Sequence, residues 1–458
     1  MIRPITANLL RRRRGTILIT TMVISIALAG TVIVLCRSMR VEMQASANGA
    51  AAAEASSVER GAEQYILALL ANYKSDLRSM SEEEFANVPV GHGYFWLLRP
   101  DYDDPALPVF GLMEESAKIN LVGAAYDELI RLPGMTYPAA SSIMDWYDED
   151  SNVERDGAED EYYLSLPDPY YCKNAPFETV EELLMVREVF RDVLYGDGTG
   201  PPLGQRNATR GGMGRDMFTD PQLARGIFDL LTVYTSEPNQ IGDEGQSRTN
   251  LGGGDRRDRL RTVLTNRSVA ESRVNEIVNA VGPAAMNNLF DLYFRGRLKP
   301  EELDLIQDDV RFGGGERLTR RINLNAAPPA VLRAIEGLDE EDAEKLIAAR
   351  SGNDPTSDSI AWAADALGEG KARAIGARVT WKTYQYSADI LAVSGNGRAF
   401  KRVRIVVDTA DAAPQIVYRR DITERGWPME GEILASIRRG EAMARGAQNV
   451  LPGTGSRF

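Results

Sequence analysis

The chain has 458 residues, with 53 Lys and Arg against 66 Asp and Glu, a net charge of −13. That length accommodates a membrane anchor and two or three domains, while so acidic a surface repels nucleic-acid phosphates, so no nucleic-acid partner is expected. One histidine, His92, and two cysteines, Cys36 and Cys172, leave no disulfide framework and give hydrolytic triads and zinc centres little support.

Residues 11–14 are four arginines, Gly15 follows, and the next 21 residues to Cys36 carry no charge. Such a stretch spans a bilayer as a helix, and the arginines hold its N-terminal end in the cytoplasm. The expected placement is a single pass through the inner membrane with the C-terminal body in the periplasm. A secretory signal peptide would have a shorter apolar region and a small-residue cleavage site close behind it, and the nearest such triplet, Ala45-Ser46-Ala47, is too distant. The junction Arg14-Gly15-Thr16 resembles instead the leader of prepilins. That resemblance implies cutting after Gly15 by a prepilin peptidase, a leader at 1–15, a mature N-terminus at Thr16 and a transmembrane helix at 16–36; an uncleaved anchor is the alternative. Major pilins carry glutamate at the fifth residue after the cut, where this chain has Thr20, a departure expected of a subunit at a filament's tip.

No proline interrupts Thr16–Lys74, which is rich in good helix formers, so one helix is predicted. Gly30, Gly49 and Gly61 are places where it can bend. Its second half presents Val58, Tyr65, Ile66, Leu69 and Leu70 to a sheet, as in pilins, with residues 37–118 as the first part of that domain. Strands are predicted at Gly93–Arg99 and Pro108–Met113, and again at Thr380–Val393, Ala399–Val407 and Gln415–Arg420, with a turn at Gly395-Asn396-Gly397. The fold class is therefore α+β: a long N-terminal helix on an antiparallel sheet, interrupted by a helical insertion at 119–375 and completed by C-terminal strands at 376–420. Segments Gly196–Arg215 and Gly242–Arg257 read as loops. Apolar spacing at Leu260, Val263, Leu264, then Val274, Ile277, Val278, Val281, then Leu289, Leu292 predicts helices. The tail, 421–458, is expected to be flexible, with one amphipathic helix near Glu432–Arg445.

The insertion contains a repeat. Ile119-Asn120-Leu121, Ala124, Leu129, Gly134 and Ala140 recur 203 residues later as Ile322-Asn323-Leu324, Ala327, Leu332, Gly337 and Ala343. Each copy reads as helix, glycine turn, helix, a helix-hairpin-helix (SAM-like) unit. Some such hairpins bind DNA through turn amides, but the second turn here carries five carboxylates between Glu336 and Asp342, so packing is the favoured role.

Between Asp145 and Glu161 lie nine carboxylates in 17 residues. Crowded carboxylates repel unless a cation compensates, and Ca²⁺ takes six to eight oxygens from flexible loops. Asp148, Asp150, Asn152, Glu154, Asp156 and Glu159 fall at EF-hand positions 1, 3, 5, 7, 9 and 12, with Asp160 beside them, but Val153 stands where an EF-hand needs glycine. A calcium site is predicted, and a solvated acidic loop is the alternative.

The string Glu114-Glu115-Ser116-Ala117-Lys118-Ile119-Asn120-Leu121, with Ile143-Met144-Asp145-Trp146-Tyr147-Asp148, Gly157–Tyr163, Lys173–Phe177 and Thr179–Leu184, resembles the K-type minor pseudopilins of type II secretion systems (general secretion pathway protein K). The resemblance implies a non-enzymatic subunit at the pseudopilus tip, bound to other minor pseudopilins and serving protein export, with calcium in this part of the insertion. It also makes contact with exported proteins an expectation. About 80 extra residues before the second hairpin, and the tail, depart from the family. The other functional class is a pilin-like tip adhesin or DNA-binding module acting through the hairpins, which a basic groove would favour.

Overall fold

The computed structural model describes residues 9–72, 77–100, 108–196, 226–241, 246–315, 317–352, 357–411 and 413–441. One helix runs over Leu9–Asn72, 64 residues or roughly 95 Å. None of the three glycines breaks it. From Ile17 to Met43 its large apolar side chains, among them Leu18, Ile24, Leu28 and Val34, are exposed, and this stretch is long and apolar enough to cross a membrane.

Beyond Gly49 the helix turns one stripe inward. Val58, Ala62, Ile66, Leu69 and Leu70 pack on Phe95, Leu97, Ala388, Ile390, Val403 and Ile405, the alternate residues of three strands. The sheet is antiparallel, in the order Val88–Val90, Gly93–Pro100, Gln385–Val393, Phe400–Asp408, Gln415–Asp421, with Pro108–Phe110 and Met113–Glu114 as short additions. Gly93 is required where helix and sheet meet: a Cβ there would stand 2.4 Å from the Val393 carbonyl oxygen and 2.6 Å from Val58 Cγ2. The run expected as one strand at 380–393 is two. Val379–Thr380 pairs in parallel with Ile322–Asn323 inside the insertion, and only Gln385–Val393 joins the large sheet.

The tail differs from expectation. Its helix is Gly431–Arg438, and Met429 and Ile437 are buried against Trp96, Leu98, Leu391 and Val393 on the sheet's second face, with Trp427 stacked edge-on to Trp96 at 6.2 Å. Residues 421–441 are thus a packed lid; 442–458 lie outside the described residues. Because both faces are covered, every residue of Gln385–Val393 is buried. Truncation after Asp421 would re-expose four large side chains, a loss on the order of 5 kcal/mol. Thermal melting of the truncated protein should show a markedly lower Tm; an unchanged Tm would mean that the lid contributes nothing.

The insertion has one continuous core containing both repeats and the added helices Arg256–Asn266, Glu271–Val281, Leu289–Gly296 and Pro300–Ile306, with every apolar residue predicted to define them buried. Residues 246–257, expected as loop, instead supply two short strands and the start of a helix. Of the segment Gly196–Arg215, positions 197–215 lie outside the described residues, as do 242–245.

The two repeats fold alike. Each opens with a two-residue strand in a parallel pair, Ile119–Asn120 with Leu231–Thr232 and Ile322–Asn323 with Val379–Thr380. In each, the asparagine side chain accepts from the backbone N–H two residues on, at 2.9 Å for Asn120 and 3.1 Å for Asn323. Helices Tyr126–Ile130 and Tyr137–Tyr147 are joined through Gly134 (φ +72°), and Pro329–Ala334 and Glu340–Ser351 through Gly337 (φ +95°), backbone angles that favour glycine.

Candidate metal centre

Helix Tyr137–Tyr147 begins with Thr136, whose hydroxyl accepts from the Ala139 N–H at 3.3 Å, and with proline in its first turn. It ends by delivering Asp145 to the interior and Asp148 to the start of the acidic loop. Helix Asp160–Leu164 closes that loop and presents Glu159 from its N-cap position. Between the two ends one carboxylate oxygen from each of Asp148, Asp150 and Glu159 lies within 4.8 Å of the others. Oxygens on a shell of radius about 2.4 Å around one Ca²⁺ span up to about that distance.

The buried oxygens here lack partners. Asp145 Oδ2, Asp148 Oδ1, both Glu159 carboxylate oxygens and Asn174 Oδ1 make no hydrogen bond, although Asp145 and Glu159 are almost fully buried. Burial, followed by repulsion from neighbouring carboxylates, raises the Asp145, Asp148 and Glu159 carboxyls above their ordinary values. An all-oxygen donor set with uncompensated negative charge fits a hard divalent cation. The cradle is tight: a Cβ on Gly157 would stand 2.0 Å from Asp145 Oδ2.

The predicted residues divide. Asp148, Asp150 and Glu159 are brought together, whereas Asn152, Glu154 and Asp156 are exposed, so the EF-hand alternation is absent. The backbone N–H groups of Asn152 and Glu154 shape the loop by donating to Asp150 Oδ1 at 2.7 Å and Asp145 Oδ1 at 3.0 Å. Asp160 Oδ1 accepts from the Cys172 N–H at 2.8 Å. Asp145 stood in the carboxylate run but outside the loop count. Asn174 was missed altogether; it reaches the loop from later in the chain, donating to the Asp150 carbonyl at 3.0 Å, and only its polar type signalled it. Gly15 and Thr16 lie in the helical backbone near the start of the long helix.

The two hairpins are tied together, although Gly134 and Gly337 at their turns stay exposed. Arg131 of the first hairpin donates to the carbonyls of Ile335 and Leu338 in the second turn, at 3.2 and 2.7 Å, and Arg378 pairs with Glu336 and with Glu128. Arg131 thus links the first unit to the second, and Arg378 bridges both.

A long helix, exposed and apolar at its N-terminal half and packed on an antiparallel sheet at the other, defines an α+β protein with one candidate membrane anchor among the described residues. Residues 114–194, which include the carboxylate cluster, match the family model of the type II secretion system (T2SS), protein K. Over that segment the chain is similar to type II secretion protein K. The crystal structure of the GspK-GspI-GspJ complex from the type 2 secretion system of enterotoxigenic Escherichia coli aligns with 84% of this chain and 98% of that chain, at a TM-score of 0.37 and 11% identity. No curated protein matches significantly.

Proposed function

We propose that the chain is a non-enzymatic cap of the type II secretion pseudopilus, anchored in the inner membrane with its body in the periplasm, where it assembles with other minor pseudopilins and serves protein export. The observation that carries this reading is the protein K match over residues 114–194. Two features support the tip position. Thr20 uses its hydroxyl inside its own helix, donating to the Ile17 carbonyl at 2.9 Å, and has no carboxylate with which to pair the terminal amine of a neighbouring subunit. The insertion also adds about 250 residues beside the sheet, bulk that obstructs a subunit stacked above.

Calcium belongs to this proposal. Asp145, Asp148, Asp150 and Glu159 would hold it, with the Asn174 side-chain oxygen in reach, and bound Ca²⁺ would neutralise the loop and tie helix Tyr137–Tyr147 to helix Asp160–Leu164. The hairpins, read as helix-hairpin-helix units, serve as packing elements. The two units are tied to each other and the second turn carries five carboxylates, which disfavours the DNA-binding alternative.

The test is purification of the full-length protein from its own membrane in mild detergent. Mass spectrometry should read Thr16 as the N-terminus and find other minor pseudopilins with it. Gly15→Val, which puts a branched side chain at the scissile bond, should leave the leader on. A wild-type protein that retains Arg11–Arg14, or that purifies free of any pseudopilin, would contradict the proposal.

A further inference from the structure

In a chain with a net charge of −13, one face of the insertion has the opposite sign. Helix Arg256–Asn266 lies antiparallel to helix Glu271–Val281, and on this pair Arg257 and Arg261, one turn apart, donate to Asn279 Oδ1 at 3.0 Å and Asn275 Oδ1 at 2.6 Å. At the end of the second helix Arg256 donates to the Pro283 carbonyl, and Arg295 donates to the Ala285 carbonyl at 2.6 Å. All four guanidinium groups thus rest on neutral acceptors. Among the described residues no carboxylate pairs with any of them; Asp258, within helical reach of Arg261, does not, and the nearby Arg259 and Arg273 are instead paired, with Asp255 and with Glu276 and Glu302.

We propose that this face docks an acidic segment of a partner protein. Four cations without counter-charge attract carboxylates over about a Debye length. Neutral side chains and carbonyls hold the guanidinium groups in place, so less side-chain entropy is lost on docking, and the planar fork suits bidentate carboxylate recognition. A membrane surface fits less well, because interfacial binding needs apolar side chains to insert, and no exposed large hydrophobic residue lies among the described residues between Phe190 and Leu305. The inference does not depend on the cation site or on the tip position.

The experiment titrates full-length protein in detergent against fluorescein-labelled decaglutamate, read by anisotropy at low salt, on the order of 50 mM. Arg257→Gln with Arg261→Gln should weaken binding about tenfold or more, by loss of two charge-assisted contacts. The paired lysine changes should fall between, because charge is kept and the fork is lost. Arg257 is exposed and Arg261 half-buried, each held by one neutral side-chain acceptor, so Tm should move little; if it falls markedly, Arg295→Gln alone provides the same test. Three results would overturn the proposal: no peptide binding, binding indifferent to these changes, or competition by millimolar inorganic phosphate or phosphatidylglycerol–phosphatidylcholine vesicles as effective as that by unlabelled peptide, which would mean a simple anion or lipid site.

Discussion

Calcium should raise the melting temperature of the protein, and a chelator should lower it. Without a cation, the orphaned oxygens of Asp145, Asp148 and Glu159 keep negative charge in a buried site, where burial and then mutual repulsion raise these carboxyls and oppose ionisation. A ligand that binds only the folded state contributes RT ln(1 + [L]/Kd), about 2.7 kcal/mol at a hundredfold excess over Kd. Mg²⁺ should substitute poorly, since it demands a rigid octahedron and sheds water reluctantly. Paired Asp148→Asn and Glu159→Gln changes should abolish the calcium response while leaving metal-free stability equal or slightly higher, because they relieve repulsion. Calorimetry that detects no Ca²⁺ binding at millimolar concentration would overturn the cation site.

Much of this architecture could be read along the chain where the signal is local and periodic. Thr16–Lys74 contains no proline, and a helix covers it as far as Asn72, the last described residue of that stretch. Phe95 and Leu97 alternate with Trp96 and Leu98, and a strand results. What escaped depends on distant partners. Val88-Pro89-Val90 is too short to read as a strand alone and becomes one by pairing with Tyr94 and Phe95 across the turn. Trp427 and Met429 carry no local signal, and the amphipathic pattern around Ile437 names no partner, so nothing near them in sequence identifies the second face of a sheet built mostly from residues 93–100 and 385–408. In the candidate site, composition located the acidic run, but the EF-hand count assumed a loop that Val153 does not permit. Folding selected Asp145 at the end of a helix and Asn174 from beyond the loop, choices set by tertiary approach.

Arg404→Met should be among the most destabilising single changes in the protein. Arg404 lies on the strand Phe400–Asp408 and joins the sheet to the insertion: it bonds the Asp389 carboxylate through Nε and, at 2.9 Å, through Nη2, reaches Asp229 Oδ1 at 3.1 Å, and stacks 4.7 Å from the centre of the Phe228 ring. Burial alone would raise the Asp389 carboxyl, but attraction and hydrogen bonding from Arg404 outweigh it and hold that carboxyl below its ordinary value. Arg404 is in turn raised by Asp389 and Asp229. Removing one partner of such a pair leaves a buried charge uncompensated, at a cost of about 3–5 kcal/mol, which is a large share of a typical domain's stability. The pH dependence distinguishes this cause from lost packing. In the wild type a depressed carboxylate pKa contributes stability that is complete above the unfolded value near 3.8 and is lost as pH falls through the lower folded value. In Arg404→Met the sign inverts: Asp389, buried with its main partner gone, titrates above its unfolded value, so the variant gains relative to wild type on acidification from neutral pH toward about 4. Asp389→Leu added to Arg404→Met should recover part of the loss, since the stranded carboxylate is gone, although buried Arg402, 3.8 Å from Asp389, then loses its carboxylate partner. Urea titrations of the three proteins at pH 7 and at mildly acidic pH measure all of this. A double variant as unstable as Arg404→Met at every pH would mean that the joint depends on the size and stacking of the arginine and not on its charge.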